Sequence, residues 1–353
     1  MRSSYNKNDV IILLKDITGL VTPLDAEERE KLIQSGKHYS QMLPIEYIPG
    51  DKYIEIYEKT LAVSAKEVAN AVAVLAKKLI EHFGENLTLV SLARAGTPIG
   101  ILLKRYFSSI YNVNPEHYTI SIIRDKGIDK NAMKYILKKH APETLVFVDG
   151  WVGKGAILKE LKLALSEFEG VSSDIAVLAD PAYVTPLCGT HADILIPSAC
   201  LNSTVCGLIS RTYSDDEIIK DGDFHGAIYY EEFKDEDRSA SFIAEIEKHF
   251  DYPKTCCALK EAENMPNSGL AETQKVAGDF GIKDINMVKP GIGETTRVLL
   301  RRVPYKILIN PIFADSFELA HIYQLAREKG VDIENYPMKN YKCIGIIKKL
   351  TDI

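Results

Sequence analysis

The stretch TLVFVDGWVGKGA, residues 144–156, decides the fold. The unbroken apolar run LVFV (145–148) ends in Asp149, and a glycine-bearing turn leads into helix-forming residues from Ala156 onward. A short apolar run without alternation reads as a strand buried on both faces, as in parallel sheets. Working outward, the pattern repeats. LTLVSL (87–92) ends in ARAGTP before a helix at about 99–106, and YTISII (118–123) ends in RDKG before helix-like 130–140. DIAVLA (174–179) ends in Asp180-Pro181, and ADILI (192–196) is a fifth run. Strands alternating with helices predict a doubly wound α/β domain whose ligands sit beyond the carboxyl ends of the strands. The polar, glycine-bearing turns all lie at that edge.

Upstream, Val63, Val68, Val72, Leu75 and Leu79 are spaced for an amphipathic helix over 62–83. Residues 1–60 read as an accessory segment, with a loop at 36–51. Downstream, DYPKTCCALKEAENMPNSGLAETQ (251–274) breaks the alternation. The boundary is placed inside it, giving a first domain at 1–265 and a second at 266–353. In the second, helices at about 294–302 and 316–329 alternate with strands at 305–309, 332–336 and 343–347.

The 353 residues suffice for two domains, each able to bury a core. Forty-three basic against 49 acidic residues exclude a surface coated in nucleic acid or lipid, while leaving room for a local basic patch. The six cysteines form no Cys-x-x-Cys pair and show no zinc spacing, so no metal-ligand set is expected. No apolar stretch reaches membrane-spanning length, and MRSSYNKNDV lacks a signal peptide's apolar run. A cytoplasmic protein without a membrane partner is the expectation.

The loops carry the chemistry. Backbone N–H groups of Gly150, Trp151, Gly153, Lys154, Gly155 and Ala156 could cradle a phosphate at a helix start, with Lys154 adding charge and Asp149 accepting from a ribose diol. A tight strand-to-helix connection explains the same residues. SLARAGTPIG (91–100) has the same geometry, with Arg94 and the N–H groups of Ala95, Gly96 and Thr97 suited to a diphosphate. A stray surface arginine is its bland reading. Arg124 and Lys126 add a third basic turn, and three such turns at one edge suggest a polyanionic ligand.

VFVDGWVGKGAI resembles the phosphoribosyl-diphosphate (PRPP) loop of type I phosphoribosyltransferases, and ARAGTPIG resembles their pyrophosphate loop. Together with SGKHYSQMLP and PSACLNSTVCGLISRT, these stretches are similar to the phosphoribosyltransferase-like family of bacterial tellurite-resistance and stress operons known as StiP. The chain has Asp149-Gly150 where type I enzymes usually carry two acids, and Gly153-Lys154-Gly155-Ala156 where they carry Thr-Gly-x-Thr. The resemblance implies transfer of a ribosyl phosphate from PRPP to a nucleobase-like nucleophile, in a stress response that could involve products of the same operon. Magnesium and Arg94 would stabilise the departing pyrophosphate, Asp149 would hold the ribose, and Arg124 and Lys126 would sit on a mobile flap. His38, Tyr39 and Asn202 would meet the substrate.

The StiP name implies a rival, a cysteine peptidase using Cys200 or Cys206, with His191 nearby in sequence. Proximity in sequence establishes neither a thiol–histidine contact nor an oxyanion hole, and buried cysteine is more often a small hydrophobe. A third reading is a non-catalytic, nucleotide-sensing RNA-binding regulator.

The stretch 283–306 holds six basic residues against two acids, which from charge alone reads as a solvated helix face more readily than as an RNA surface. KPGIGETTRVLL (289–300) and the strands after it resemble the Pelota and kink-turn-binding ribosomal protein superfamily. That resemblance implies RNA binding through Lys289, Gly291, Glu294 and Arg297.

Overall fold

The computed structural model describes residues 1–252 and 266–349. The segment carrying the expected boundary, with Cys256 and Cys257, lies outside the described residues.

The chain begins with two short strands, β1 (Ile11–Ile12) and β2 (Lys15–Asp16), then helices α1 (Ala26–Gln34) and α2 (Asp51–Phe83). Next come β3 (Thr88–Leu92), α3 (Gly96–Tyr106), β4 (His117–Ile120), and a hairpin of β5 (Ile122–Ile123) and β6 (Gly127–Ile128). Helix α4 (Lys130–Leu137), β7 (Leu145–Trp151), α5 (Ala156–Leu165), β8 (Ile175–Ala179) and β9 (Cys188–Thr190) follow. Strand β10 (Gly226–Ala227) pairs with β2, and α6 (Ser239–Glu247) ends the first part.

Strands β1, β4, β3, β7, β8 and β9, in that spatial order, form one parallel sheet. Both faces are covered. Leu89, Val146, Val148, Ala176 and Leu178 pack toward α2 and α3, while Val90, Phe147, Leu145 and Val177 pack toward α4 and α5. The period-2 alternation of a strand sends successive residues to opposite helical layers, so both sets must be apolar.

Three expectations need correction. The fifth strand is β9, not 192–196, which is a buried connection. A three-residue edge strand has too little apolar pattern to register. Residues 1–60 are not merely accessory, since β1 extends the main sheet along β4. Helix α2 begins at Asp51, eleven residues before the expected start, and Val63 points to solvent at 67 % exposure. Its buried face there is made of Tyr53, Tyr57 and Leu61, large side chains interleaved with Asp, Lys and Glu.

The second domain comprises α7 (Ser268–Asp279), β11 (Val288–Pro290), α8 (Ile292–Arg301), β12 (Pro304–Ile309), α9 (Ala320–Glu328), β13 (Asp332–Asn335) and β14 (Cys343–Ile347). Its sheet runs β11-β14-β12-β13, with only β12 and β13 parallel. The two domains share apolar core: Leu299, Leu319, Ile322 and Leu325 belong to the cluster that holds Leu75 and Leu79 of α2. Among the described residues, no helix is long and apolar enough to cross a membrane.

Candidate functional site

A crevice of about 610 Å³ opens above β3 and β7 and is closed on its far side by β11 and α8 of the second domain. The β3–α3 turn sits directly on β7. A Cβ at Gly96 would lie 2.3 Å from the Val148 carbonyl oxygen, so only glycine permits this approach. The Ala93–Arg94 peptide is cis. Arg94 lines the crevice but is already engaged: its Nη1 donates to Glu46 Oε1 at 2.9 Å and to the Ile209 carbonyl at 2.8 Å. Its Nε is buried without a partner among the described residues. Thr97 is buried, and its N–H already donates to the Arg94 carbonyl at 3.1 Å, so that N–H is not free for a diphosphate.

On the neighbouring turn, β7 continues past the expected end to Trp151. Asp149 is half-buried, accepts the Gly150 N–H at 2.7 Å, and is pushed up to about 6 by burial, with Arg297 opposing. Gly155, at φ +85°, starts α5 in a conformation that disfavours other residues. Lys154 does not project freely. It donates to the Val288 carbonyl at 2.9 Å and to that of Ile285, and burial pushes it down to about 7. The second domain has taken the ammonium that the turn was expected to offer a phosphate.

Of the residues expected to meet a substrate, His38 and Tyr39 brace the third turn, and Tyr39 also lines the crevice. His38 Nε2 lies 3.1 Å from the Arg124 carbonyl, and the Arg124 N–H donates to Tyr39 Oη at 2.7 Å. Lys126 donates to the Ser214 carbonyl, so the β5–β6 turn is tied down by its neighbours rather than hanging free. Asn202 accepts from Arg301 Nε.

The turn of the second domain faces inward. Gly291 (φ +87°) precedes α8, and the Ile292 N–H donates to Asp193 Oδ1 at 3.0 Å. Glu294 accepts from Arg297 at 2.7 Å, and the Arg297 guanidinium lies 4.2 Å from the centre of the Trp151 ring. Lys289 lines the same wall. All four residues expected to read RNA therefore stand at or beside the crevice.

Cys188, Cys200 and Cys206 are all buried, and among the described residues no histidine lies within hydrogen-bond distance of the Cys200 or Cys206 sulfur. Burial pushes the Cys200 thiol well up, and it raises Cys206 despite the nearby guanidinium of Arg94. The sequence reading missed the pair that does form. Cys188 Sγ on β9 lies 3.4 Å from His191 Nε2. His191 Nδ1 lies 2.8 Å from the Asp180 carbonyl oxygen, which can only accept, so Nδ1 carries the proton and Nε2 is left as a base toward the thiol. The imidazole stacks on Tyr183 at 4.1 Å. Asp180 Oδ2 accepts the Val184 and Thr185 N–H groups, lies 3.6 Å from His191 Nδ1, and its carboxyl is pushed up to about 6 by burial. The signal was the Cys-x-x-His spacing of CGTH (188–191), placed eight residues after a strand-tip acid. Contrary to the expectation of no metal-ligand set, ligand atoms of Asp180, Cys188 and His191 all lie within 4.8 Å of one another, three donors of the types that hold zinc.

The architecture is that of a two-domain α/β protein with a parallel sheet and a mixed C-terminal sheet. Residues 3–247 match the family described as "Tellurite-like stress resistance cysteine protease StiP", and residues 267–349 match the PELOTA RNA binding domain. The chain belongs to the StiP family and carries a Pelota RNA-binding domain. It is 37% identical to the "Cysteine protease StiP" of Acinetobacter baylyi, over 98% of this chain and 94% of that relative. Among solved structures, a Helicobacter pylori xanthine-guanine-hypoxanthine phosphoribosyltransferase shares 23% identity at a TM-score of 0.21, covering 30% of this chain and 66% of its own. A hypoxanthine-guanine-xanthine phosphoribosyltransferase shares 14% at 0.23, covering 50% and 93%.

These findings correct the expected activity. Family and relative are both described as cysteine proteases, so phosphoribosyl transfer from PRPP, and the pentosyltransferase assignment with its magnesium, are set aside. The loops that suggested it are genuine strand-to-helix turns at the carboxyl edge. Such turns recur wherever a parallel sheet feeds helices, and they do not specify a reaction.

Proposed function

We propose that the first domain hydrolyses peptide bonds, with Cys188 as nucleophile and His191 as its base. The observation that carries this reading is the Nδ1–carbonyl hydrogen bond to Asp180, which in the neutral imidazole places the lone pair on Nε2, 3.4 Å from the sulfur. Burial pushes the Cys188 thiol up to about 11, so it rests protonated and must hand its proton to Nε2 as it attacks. The sulfur bonds to the scissile carbonyl carbon. The C–N bond then breaks, and the His191 imidazolium returns the proton to the leaving amine. Water, deprotonated by Nε2, releases the thioester as a carboxylic acid and restores the thiol. Asp180 holds the imidazole in its tautomer through its carbonyl and faces the developing imidazolium with its carboxyl.

The sulfur also lies 3.9 Å from Nδ1, so it sits beside the ring and not along the Nε2 lone pair. Transfer therefore requires the imidazole to turn against Tyr183. The test is hydrolysis of a peptide library by the full chain, with iodoacetamide labelling mapped by mass spectrometry. Activity should vanish in Cys188→Ala, survive in Cys200→Ala and Cys206→Ala, and fall in step with alkylation of Cys188. Full activity in Cys188→Ala would overturn the assignment.

A further inference from the structure

We propose that the interdomain crevice is a composite site for the phosphorylated end of a single RNA strand, gripped by both domains at once. This goes beyond the thiol chemistry above and does not depend on it.

The first support is the placement of the RNA-reading turn. It does not lie on an open outer face. Arg297 covers the Trp151 ring, a Cβ at Gly153 would come within 3.0 Å of Glu294 Cγ, and Tyr341 Oη donates to the Gly153 carbonyl at 2.6 Å. RNA engaging Lys289, Glu294 and Arg297 in this arrangement must also meet the turn after β7.

The second support is charge. Arg29, Arg94, Arg211, Arg297, Arg301 and Arg302 converge on the crevice from both domains. Glu46 pairs with Arg94, Glu294 with Arg297, and Glu30 with Arg302. Among the described residues, Arg29, Arg211 and Arg301 have no carboxylate within ion-pair distance. Burial and their arginine neighbours push Arg211 down to about 9 and Arg29 down to about 10. Guanidinium groups crowded together in this way gain most from a multiply charged anion. The buried Nε of Arg29 and of Arg94 both lack a partner among the described residues, and both residues line the crevice. Enclosed as they stand, these unused N–H groups become donors to a phosphate oxygen once either side chain turns toward the crevice.

The third support is size and shape. A volume of about 610 Å³ falls within the ~300–1,000 Å³ of pockets that enclose small ligands, and is too small to take a folded duplex. It suits a terminal nucleotide or two. The guanidinium planes of Arg297 and Arg211, which themselves cover the Trp151 and Tyr39 rings, are surfaces on which RNA bases stack. Asp149 at the floor is an acceptor for a ribose hydroxyl, a feature that distinguishes RNA from DNA.

The experiment uses the full chain and short single-stranded oligoribonucleotides of one sequence, carrying a 5′-phosphate, a 3′-phosphate, or neither. The matching DNA and free ribonucleoside monophosphates serve as the other arms. One phosphorylated RNA should bind about tenfold or more tighter than the unphosphorylated strand, in keeping with one or two charge-assisted contacts. Whichever end wins identifies its polarity. Arg211→Gln in the first domain and Arg297→Gln in the second should each erase that preference, with unchanged melting temperature showing that both variants fold. Free monophosphates binding as tightly as the RNA would make this a nucleotide site and overturn the strand-end proposal. So would equal binding of all three RNAs, or an Arg211→Gln variant with undiminished preference.

Discussion

Two neighbouring strands of one sheet carry an aspartate near their carboxyl ends, and the two ends have become different sites. Asp149 on β7 and Asp180 just beyond β8 are both pushed up to about 6 by burial. Around Asp149 the surroundings come from far along the chain: Arg297 and Glu294 of α8, with Lys154 beside them. Around Asp180 they are local: the N–H groups of Val184 and Thr185, then His191 and Cys188. The strand tip supplies only a carboxyl that desolvation lifts. Whether it serves an anion-collecting crevice or a thiol–imidazole pair depends on what packs over it.

The comparison breaks most sharply if the two sites can be silenced separately. His191→Ala should lower peptide hydrolysis about 10²–10⁴-fold by removing the base, while RNA affinity stays as it was. A simultaneous loss of RNA binding, measured by fluorescence anisotropy, would mean that the sites are one.

The reciprocal change is Gly293→Val. A Cβ there would stand 2.3 Å from Trp151 Cε2, so α8 must lift away from the β7 turn. RNA affinity should drop on the order of tenfold through loss of charge-assisted contacts, and hydrolysis should persist. Unchanged RNA affinity would place the reading surface elsewhere on the second domain.

The smallest effect expected is in pH. As pH rises, Asp149 acquires its negative charge near 6 and Lys154 loses its positive charge near 7. Both changes make the crevice less positive, so oligonucleotide affinity should weaken through that window by severalfold. Lys289 and Arg124 oppose the charge on Lys154, while Glu294 and Asp284 favour it. The terminal phosphate's own ionisation, near ~6, acts in the opposite sense. Titrating the unphosphorylated strand against wild type and Lys154→Arg isolates the protein's share. A slope retained in full by the arginine variant would remove Lys154 from the account.

Much of the fold was legible in the sequence because it rests on local apolar pattern. The runs at 87–92, 145–148 and 174–179 are strands, and the GIGETTR turn opens a helix against the β11–β14 edge. Elements with little pattern were not legible, such as the two-residue β1 and the three-residue β9, whose pairing comes from the neighbouring strand. The candidate site was legible only as an edge. Lys154 and Arg94 were visible as cations, but not the carbonyls and carboxylate that hold them, because Val288 and Glu46 lie far away in sequence.

By itself, then, the sequence determined a parallel sheet wrapped in helices, a second α/β unit with a basic turn, and the edge at which polar loops collect. Periodicity reports whether a segment is buried, and that suffices for these statements. Only the tertiary structure decided that Cys188, and not Cys200 or Cys206, meets a histidine. It alone brought Arg29 to the carbonyl of Arg301, 272 residues later in the chain, in the same crevice. Such meetings depend on where distant segments cross. No local pattern encodes that crossing, because the energy that sets it is shared across the whole core.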